Sequence, residues 1–173
     1  IGVAGLGRIG KEILLRAKTF GMDLFAFDKF LDINFMKKNK VTTCQTIEEL
    51  VSKVDILSLN MNANKENYHI INQELMVNHI KNKQLIVNTA RGDLVNESAI
   101  IYGIENGILC GYVTDVLEQE PMDFSHPFRN MKKVLVTPHI GSRTFESVER
   151  QGLLAVKNLY IALNDEIGEG YEK

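Results

Sequence analysis

The chain has 173 residues, 45% of them hydrophobic and 24% charged, which suits one buried core in an ordinary soluble globular protein. Its 20 basic and 22 acidic residues give a net charge of −2, which excludes an electrostatic footprint for nucleic acid or an anionic membrane surface. No apolar run approaches the roughly 20 residues that span a bilayer, and the isolated Cys44 and Cys110 form neither a metal-ligand spacing nor a disulfide scaffold, which points to a reducing cytoplasm.

The opening stretch IGVAGLGRIG is a strand-like run, Ile1–Ala4, that breaks at Gly5, Gly7 and Gly10. A helix follows, with Ile9, Ile13, Ala17 and Phe20 at helical spacing and Gly21 placed to end it in the left-handed conformation. Leu24–Phe27 reads as the next strand and Val41–Cys44 as a short edge strand. Thr46 and Glu49 form a capping-box pattern ahead of Leu50, and Asp55–Leu59 is a strand. Asn72 precedes a helix carrying Leu75, Met76 and Ile80; Gln84–Asn88 is a strand; Asn96 precedes a helix carrying Ile100, Ile101 and Ile104 before Gly107. Leu109–Thr114 and Lys133–Thr137 complete the strands. A long helix runs from about Thr144 to Leu163, with Val148, Gly152, Ala155, Val156, Leu159 and Leu163 on one face.

Most of these strand runs are continuously apolar, the mark of strands covered on both faces. A βαβα alternation with short connections predicts an α/β fold: a doubly wound, mostly parallel Rossmann sheet with helices on both faces. We expect this domain to cover 1–163, with a loose polar tail over 164–173.

The glycine turn follows a strand and opens a helix, the context in which such a turn binds a dinucleotide. Gly5 permits the tight turn, Gly7 lets a pyrophosphate reach the backbone, and Gly10 lets helix and strand pack closely. Asp28 ends the next strand, roughly 20 residues past the turn, where a carboxylate accepts from ribose hydroxyls and repels a 2′-phosphate. The expected cofactor is NAD rather than NADP, an argument that the neighbouring Lys29 softens a little.

Polar residues follow three later strands, where open α/β sheets place their sites. VNTARGDLVNE carries Arg91, GYVTDVLEQEP carries Asp115 and Glu120, and VLVTPHIGSRT carries His139. Arg91 offers a planar fork suited to a carboxylate. His139 exchanges a proton near neutral pH, and a nearby Glu120 would favour its imidazolium and orient the ring. Together they describe hydride transfer to or from a 2-hydroxy acid.

These motifs, GLGRIG with Asp28, VNTARGDLVNE, DVLEQEP and TPHIGS, resemble in order those of the NAD-binding domain of the D-isomer-specific 2-hydroxyacid dehydrogenases, almost end to end. The resemblance implies that Arg91 binds substrate, Glu120 partners the histidine and His139 moves the proton. It implies that Arg8 and Ile9 contact the pyrophosphate, Thr89 and Ala90 line the cofactor, and Asp115 lies beside the nicotinamide carboxamide. Gly141 and Ser142 follow the histidine where the family closes over the nicotinamide. In LSLNMNANKEN, Asn60 and Asn62 stand where the family often has histidine and proline. We count Asn60 among the cofactor-binding positions and expect the exchange to affect cofactor affinity or loop order. His69, His79 and His126 match no functional position and read as surface or packing residues.

The family normally carries a second α/β domain that completes the substrate pocket, and this chain is read as lacking it. It opens at Ile1 with no signal-peptide pattern, although the missing Met leaves room for a removed leader. The expected partners are a small 2-hydroxy or 2-keto acid and, by resemblance alone, a second copy in a homodimer. Formate dehydrogenase shares the architecture but is disfavoured by Glu120; a phosphite dehydrogenase and a non-catalytic NAD-sensing corepressor remain as alternatives.

Overall fold

The computed structural model describes residues 1–81 and 83–163; the tail expected over 164–173 lies outside the described residues. The chain falls into two compact units, Ile1–Pro138 and a second beginning at His139.

The first unit holds β1 (Gly2–Ala4), α1 (Arg8–Thr19), β2 (Phe25–Phe27), α2 (Ile33–Asn39), β3 (Thr42–Thr43), α3 (Ile47–Lys53) and β4 (Ile56–Leu59). There follow α4 (Gln73–His79), β5 (Gln84–Asn88), α5 (Glu97–Glu105), β6 (Leu109–Thr114) and β7 (Val134–Val136). The strands form one sheet in the order β3-β2-β1-β4-β5-β6-β7, and every pairing is parallel. All six strand runs and the short edge strand read from the sequence are present.

Each face of the sheet has its own core. Val3, Leu14, Ala17, Ala26 and Met36 form one cluster, and Ala4, Leu50, Leu57, Ile86, Ile100 and Leu109 belong to the other. Neighbours Val3 and Ala4 fall in different clusters because successive strand side chains point to opposite faces. Double coverage of this kind explains the unbroken apolar runs.

Helix ends follow the caps in the sequence. Thr46 Oγ1 accepts from the Glu49 N–H at 3.1 Å, while Glu49 reaches back to the N–H of Gln45 at 2.6 Å. Asn72 and Asn96 cap α4 and α5 in the same way, at 2.9 and 3.0 Å. Gly21, at φ +73°, closes α1 with paired bonds from its own N–H to Lys18 O and from Met22 N–H to Ala17 O.

One expectation needs correction, and two features go beyond the sequence reading. The core face of α1 is Gly10, Leu14 and Ala17, whereas Ile9 and Phe20 are 64% and 79% exposed. Gly10 must face the turn it packs on, and that contact rotates Ile9 outward. Helix α2 has no counterpart in the reading above. Its start is Asp32, which accepts from the Phe35 N–H at 2.9 Å, and its end is Lys40 at φ +57°, a left-handed cap without the glycine that would announce it. In the second unit α6 (Phe145–Leu163) carries the expected apolar face, yet none of its residues is buried.

Gln84 ties α3 to the sheet. Its fully buried amide donates to Val51 O at 2.9 Å and Val54 O at 2.6 Å, serving carbonyls at the end of α3 that would otherwise go unpaired. Gln84→Leu should therefore cost about 2 kcal/mol and lower Tm by roughly 4–8 °C in a thermal melt.

Candidate functional site

The order of the sheet reverses between β1 and β4, and the glycine turn sits at the ends of those strands. Gly5 lies at φ +102°, and a Cβ there would stand 2.7 Å from the backbone of Asn60 and Met61. A Cβ on Gly10 would stand 2.2 Å from the Gly5 carbonyl oxygen. At Gly7 nothing lies within 4 Å. The outer two glycines are thus required by close packing and the middle one by what approaches from outside.

Gly7 is also the N-cap of α1 and supplies no side chain to its first-turn N–H groups. This is the arrangement that a phosphate completes. Arg8 and Ile9 are exposed at that end. The acid of β2 is tied to the same turn: Asp28 Oδ2 accepts from the Leu6 N–H at 2.5 Å, and Oδ1 from the Phe30 N–H at 2.9 Å. Lys29 pairs with Glu66, so its charge is balanced away from Asp28. Asn60 donates to Ser58, while its Oδ1 is buried without a protein partner. A bare glycine before uncapped amides, a fixed acid and an orphaned acceptor at one sheet position fit a dinucleotide.

The loop after Asn60 is braced by its own amide side chains. Asn67 donates to the Asn62 carbonyl at 2.8 Å and accepts from the Asn64 N–H at 2.7 Å, and Asn64 accepts from the Glu66 N–H at 2.8 Å. A groove of about 450 Å³ beside this loop is lined by Ala63, Asn64, Lys65, Tyr68 and Asp93, none of them named by the sequence reading.

Past β5 the chain turns through Thr89, exposed, and Ala90, buried, to Arg91. Arg91 is exposed, and its guanidinium donates to Ala90 O at 2.6 Å. Gly92, next along, begins a 3₁₀ turn over Gly92–Leu94. A Cβ on Gly92 would lie 2.0 Å from the Leu117 carbonyl oxygen, so the Arg91 turn is seated directly on the segment after β6. In that segment Glu120 Oε1 accepts from the Leu117 N–H at 3.0 Å, and the Glu120–Pro121 peptide is cis. Asp115 is buried; its N–H donates to Asn88 O at 3.0 Å, and its carboxylate accepts from the Thr137 hydroxyl at 2.5 Å. The structure therefore interlocks the segments of Arg91, Asp115 and Glu120.

Beneath them lies a clasp that the sequence did not reveal. Glu97 and Glu118 each accept from the other's backbone N–H, at 3.1 and 3.0 Å. Their remaining oxygens meet His126 Nε2 at 2.9 Å and His69 Nε2 at 3.1 Å. His69 and His126, both half-buried, thus lie against carboxylates. Among the described residues no group of three or more His, Cys, Asp or Glu could hold a metal ion.

Tyr112 of β6 is also buried, and desolvation pushes its phenol up to about 12 from the ordinary 10.0. The folded state then holds this proton more tightly than the unfolded chain does. Its contribution is intact below pH 10 and is lost as pH rises toward 12, by at most about 3 kcal/mol. Denaturant melts across that window should show the falling stability, and Tyr112→Phe should flatten it.

His139 opens the second unit at φ +53°, a left-handed conformation that non-glycine residues seldom adopt. Gly141 and Ser142 follow, both exposed, and the Ser142 carbonyl accepts from Gln151 of α6 at 3.4 Å. Thr144 caps α6 through the Ser147 N–H at 3.2 Å.

Residues 1–141 match the family model of the D-isomer specific 2-hydroxyacid dehydrogenase NAD-binding domain. This chain belongs to that family. As an NAD-binding domain of the 2-hydroxyacid dehydrogenases, it is 34% identical over 169 residues to a glyoxylate reductase of Thermofilum pendens, covering 96% of this chain and 49% of that protein. It is 38% identical over 151 residues to a D-3-phosphoglycerate dehydrogenase of Bacillus subtilis, covering 85% of this chain and 27% of the relative. Among solved structures, a D-lactate dehydrogenase of Aquifex aeolicus complexed with NAD and lactic acid superposes with a TM-score of 0.85 at 26% identity, over 96% of this chain and 54% of that one. The chain thus spans half or less of the length of these curated relatives. Its cofactor is NAD. No described helix is long and apolar enough to cross a membrane.

Two residues of this NAD-binding domain escaped the sequence reading although they shape the site. Asn88 and Gly92 flank the Arg91 turn, Asn88 acting through its carboxamide and Gly92 through the absence of a Cβ. The only sequence signal was their place in VNTARG.

Proposed function

We propose that the chain is the nucleotide half of an NAD-dependent dehydrogenase that interconverts a D-2-hydroxy acid and its 2-keto acid. The observation that supports it most is the seating of the Arg91 turn on the Glu120 segment, at the strand ends of a sheet whose glycine turn fits NAD. In this reading Arg91 holds the substrate carboxylate through its charged fork. His139 takes the proton of the C2 hydroxyl on oxidation and returns it on reduction, with Glu120 as its acidic partner. Bound NAD supplies the hydride acceptor and donor. The glycine turn, Arg8, Ile9, Asp28, Asn60, Thr89, Ala90, Asp115, Gly141 and Ser142 hold and orient it.

We further propose that residues 1–163 act with a second domain that completes the substrate pocket, that the enzyme is a homodimer, and that it works in the cytoplasm. The exposed apolar face of α6 and the greater length of the relatives support the second domain. Domain closure would then position substrate and exclude water. The test is NADH oxidation by the two-domain enzyme against glyoxylate, hydroxypyruvate, pyruvate and phosphohydroxypyruvate, with NAD reduction by phosphite as the control reaction. The expected result is turnover of a 2-keto acid, with NADH binding but little turnover by this chain alone. Reduction of NAD by phosphite alone, or robust turnover by these 173 residues, would overturn the reading.

A further inference from the structure

We propose that Asn88 is the positioning residue of Arg91, an inference that rests on the reading of Arg91 given above. Asn88 ends β5 with no exposed surface. Its Oδ1 accepts from the Ala90 N–H at 3.0 Å and its Nδ2 donates to the Arg91 carbonyl at 2.9 Å. One carboxamide therefore ties both backbone groups of the turn that presents the guanidinium. A hydroxyl is too short to span them, and a carboxylate offers no donor.

The carboxamide is itself mounted on a fixed base. The Asn88 carbonyl accepts from the Asp115 N–H at 3.0 Å, and Asn88 pairs with Thr114 across β5 and β6. Gly92 closes the turn from the other side by its contact with Leu117. The turn is held to the sheet by this one buried side chain, while the Arg91 carbonyl also accepts from the Leu94 N–H within the 3₁₀ turn at 3.3 Å. The guanidinium's bond to Ala90 O then draws its carbon stem along the same turn. A shift of the turn would move the fork away from a bound carboxylate while leaving the glycine turn at β1 untouched.

The first measurement needs no variant. In this chain the Ala90 amide should exchange with solvent as slowly as the β5 amides, while the exposed Thr89 amide exchanges fast; rapid exchange at Ala90 would sink the proposal. In the two-domain enzyme Asn88→Ala should raise the 2-keto acid KM about ten- to hundredfold and lower kcat less, with a smaller rise in the NAD Kd because Thr89 and Ala90 belong to the same turn. In an Arg91→Gln background the same change should add nothing, because Asn88 acts through Arg91. Multiplying losses in the double variant, or an unchanged KM in Asn88→Ala, would overturn the inference. If Arg91→Gln alone leaves the KM unchanged, the reading of Arg91 falls, and this inference with it. If Arg91→Gln raises the KM and Asn88→Ala does not, only the inference falls.

Discussion

Gly7→Ala should leave the melting temperature within about 2 °C of the parent and weaken NAD binding at least about tenfold, whereas Gly10→Ala should lower Tm by roughly 5–10 °C. The two glycines are three residues apart in one turn; helix propensity alone would rank alanine above glycine at Gly10, inside α1, but not at Gly7, its N-cap. Space separates them. A methyl at Gly7 meets no protein atom within 4 Å, so its cost falls on whatever binds at the start of α1. A methyl at Gly10 lies 2.2 Å from a carbonyl oxygen of the backbone, which cannot swing aside as a side chain would. Titration with NADH fluorescence and a thermal melt on the same samples measure both quantities. Equal loss of stability in the two variants would refute the division of roles.

His139→Gln in the two-domain enzyme should lower kcat by about 10²- to 10⁴-fold while leaving the NAD Kd within about threefold. Glutamine can still form hydrogen bonds there but cannot take up a proton, so the loss isolates proton transfer from substrate orientation. The backbone of His139 adds a second reason to assign it chemistry. It stands at φ +53°, directly after Pro138, and a non-glycine residue in that region stores strain that surrounding structure must hold. Steady-state kinetics with a saturating 2-keto acid supplies the measurement, and near-parental kcat would remove His139 from the mechanism.

Much of the fold was legible because the signals were local and strong. Continuous apolar runs located the strands, and Thr46, Asn72, Asn96, Gly21 and Gly107 located helix ends through bonds that those residues do make. Helix α2 was not legible, since Lys40 adopts a conformation that its identity disfavours. The outward turn of Ile9 was hidden for another reason: periodicity gives a spacing, while the close contact of Gly10 chooses the face.

In the candidate site, side chains suited to carry charge or protons stood out by type and order. Their supports did not. Asn88 works through backbone bonds to a turn, Gly92 through the absence of a side chain, and Glu97 and Glu118 through bonds to each other's amides across 21 positions of sequence. Such partnerships exist only once the strands are side by side.

The sheet order also bears on how the protein is made. β1 comes first along the chain yet lies between β2 and β4, so it stays half-paired until residues 56–59 are in place. The glycine turn waits on the same event, because Gly5 rests against the backbone of Asn60. Nucleotide affinity should thus arise late, when the central strand gains its second neighbour, and non-local pairing of this kind makes folding slow. In a refolding experiment NADH fluorescence would report closure of the middle of the sheet rather than formation of its first helix.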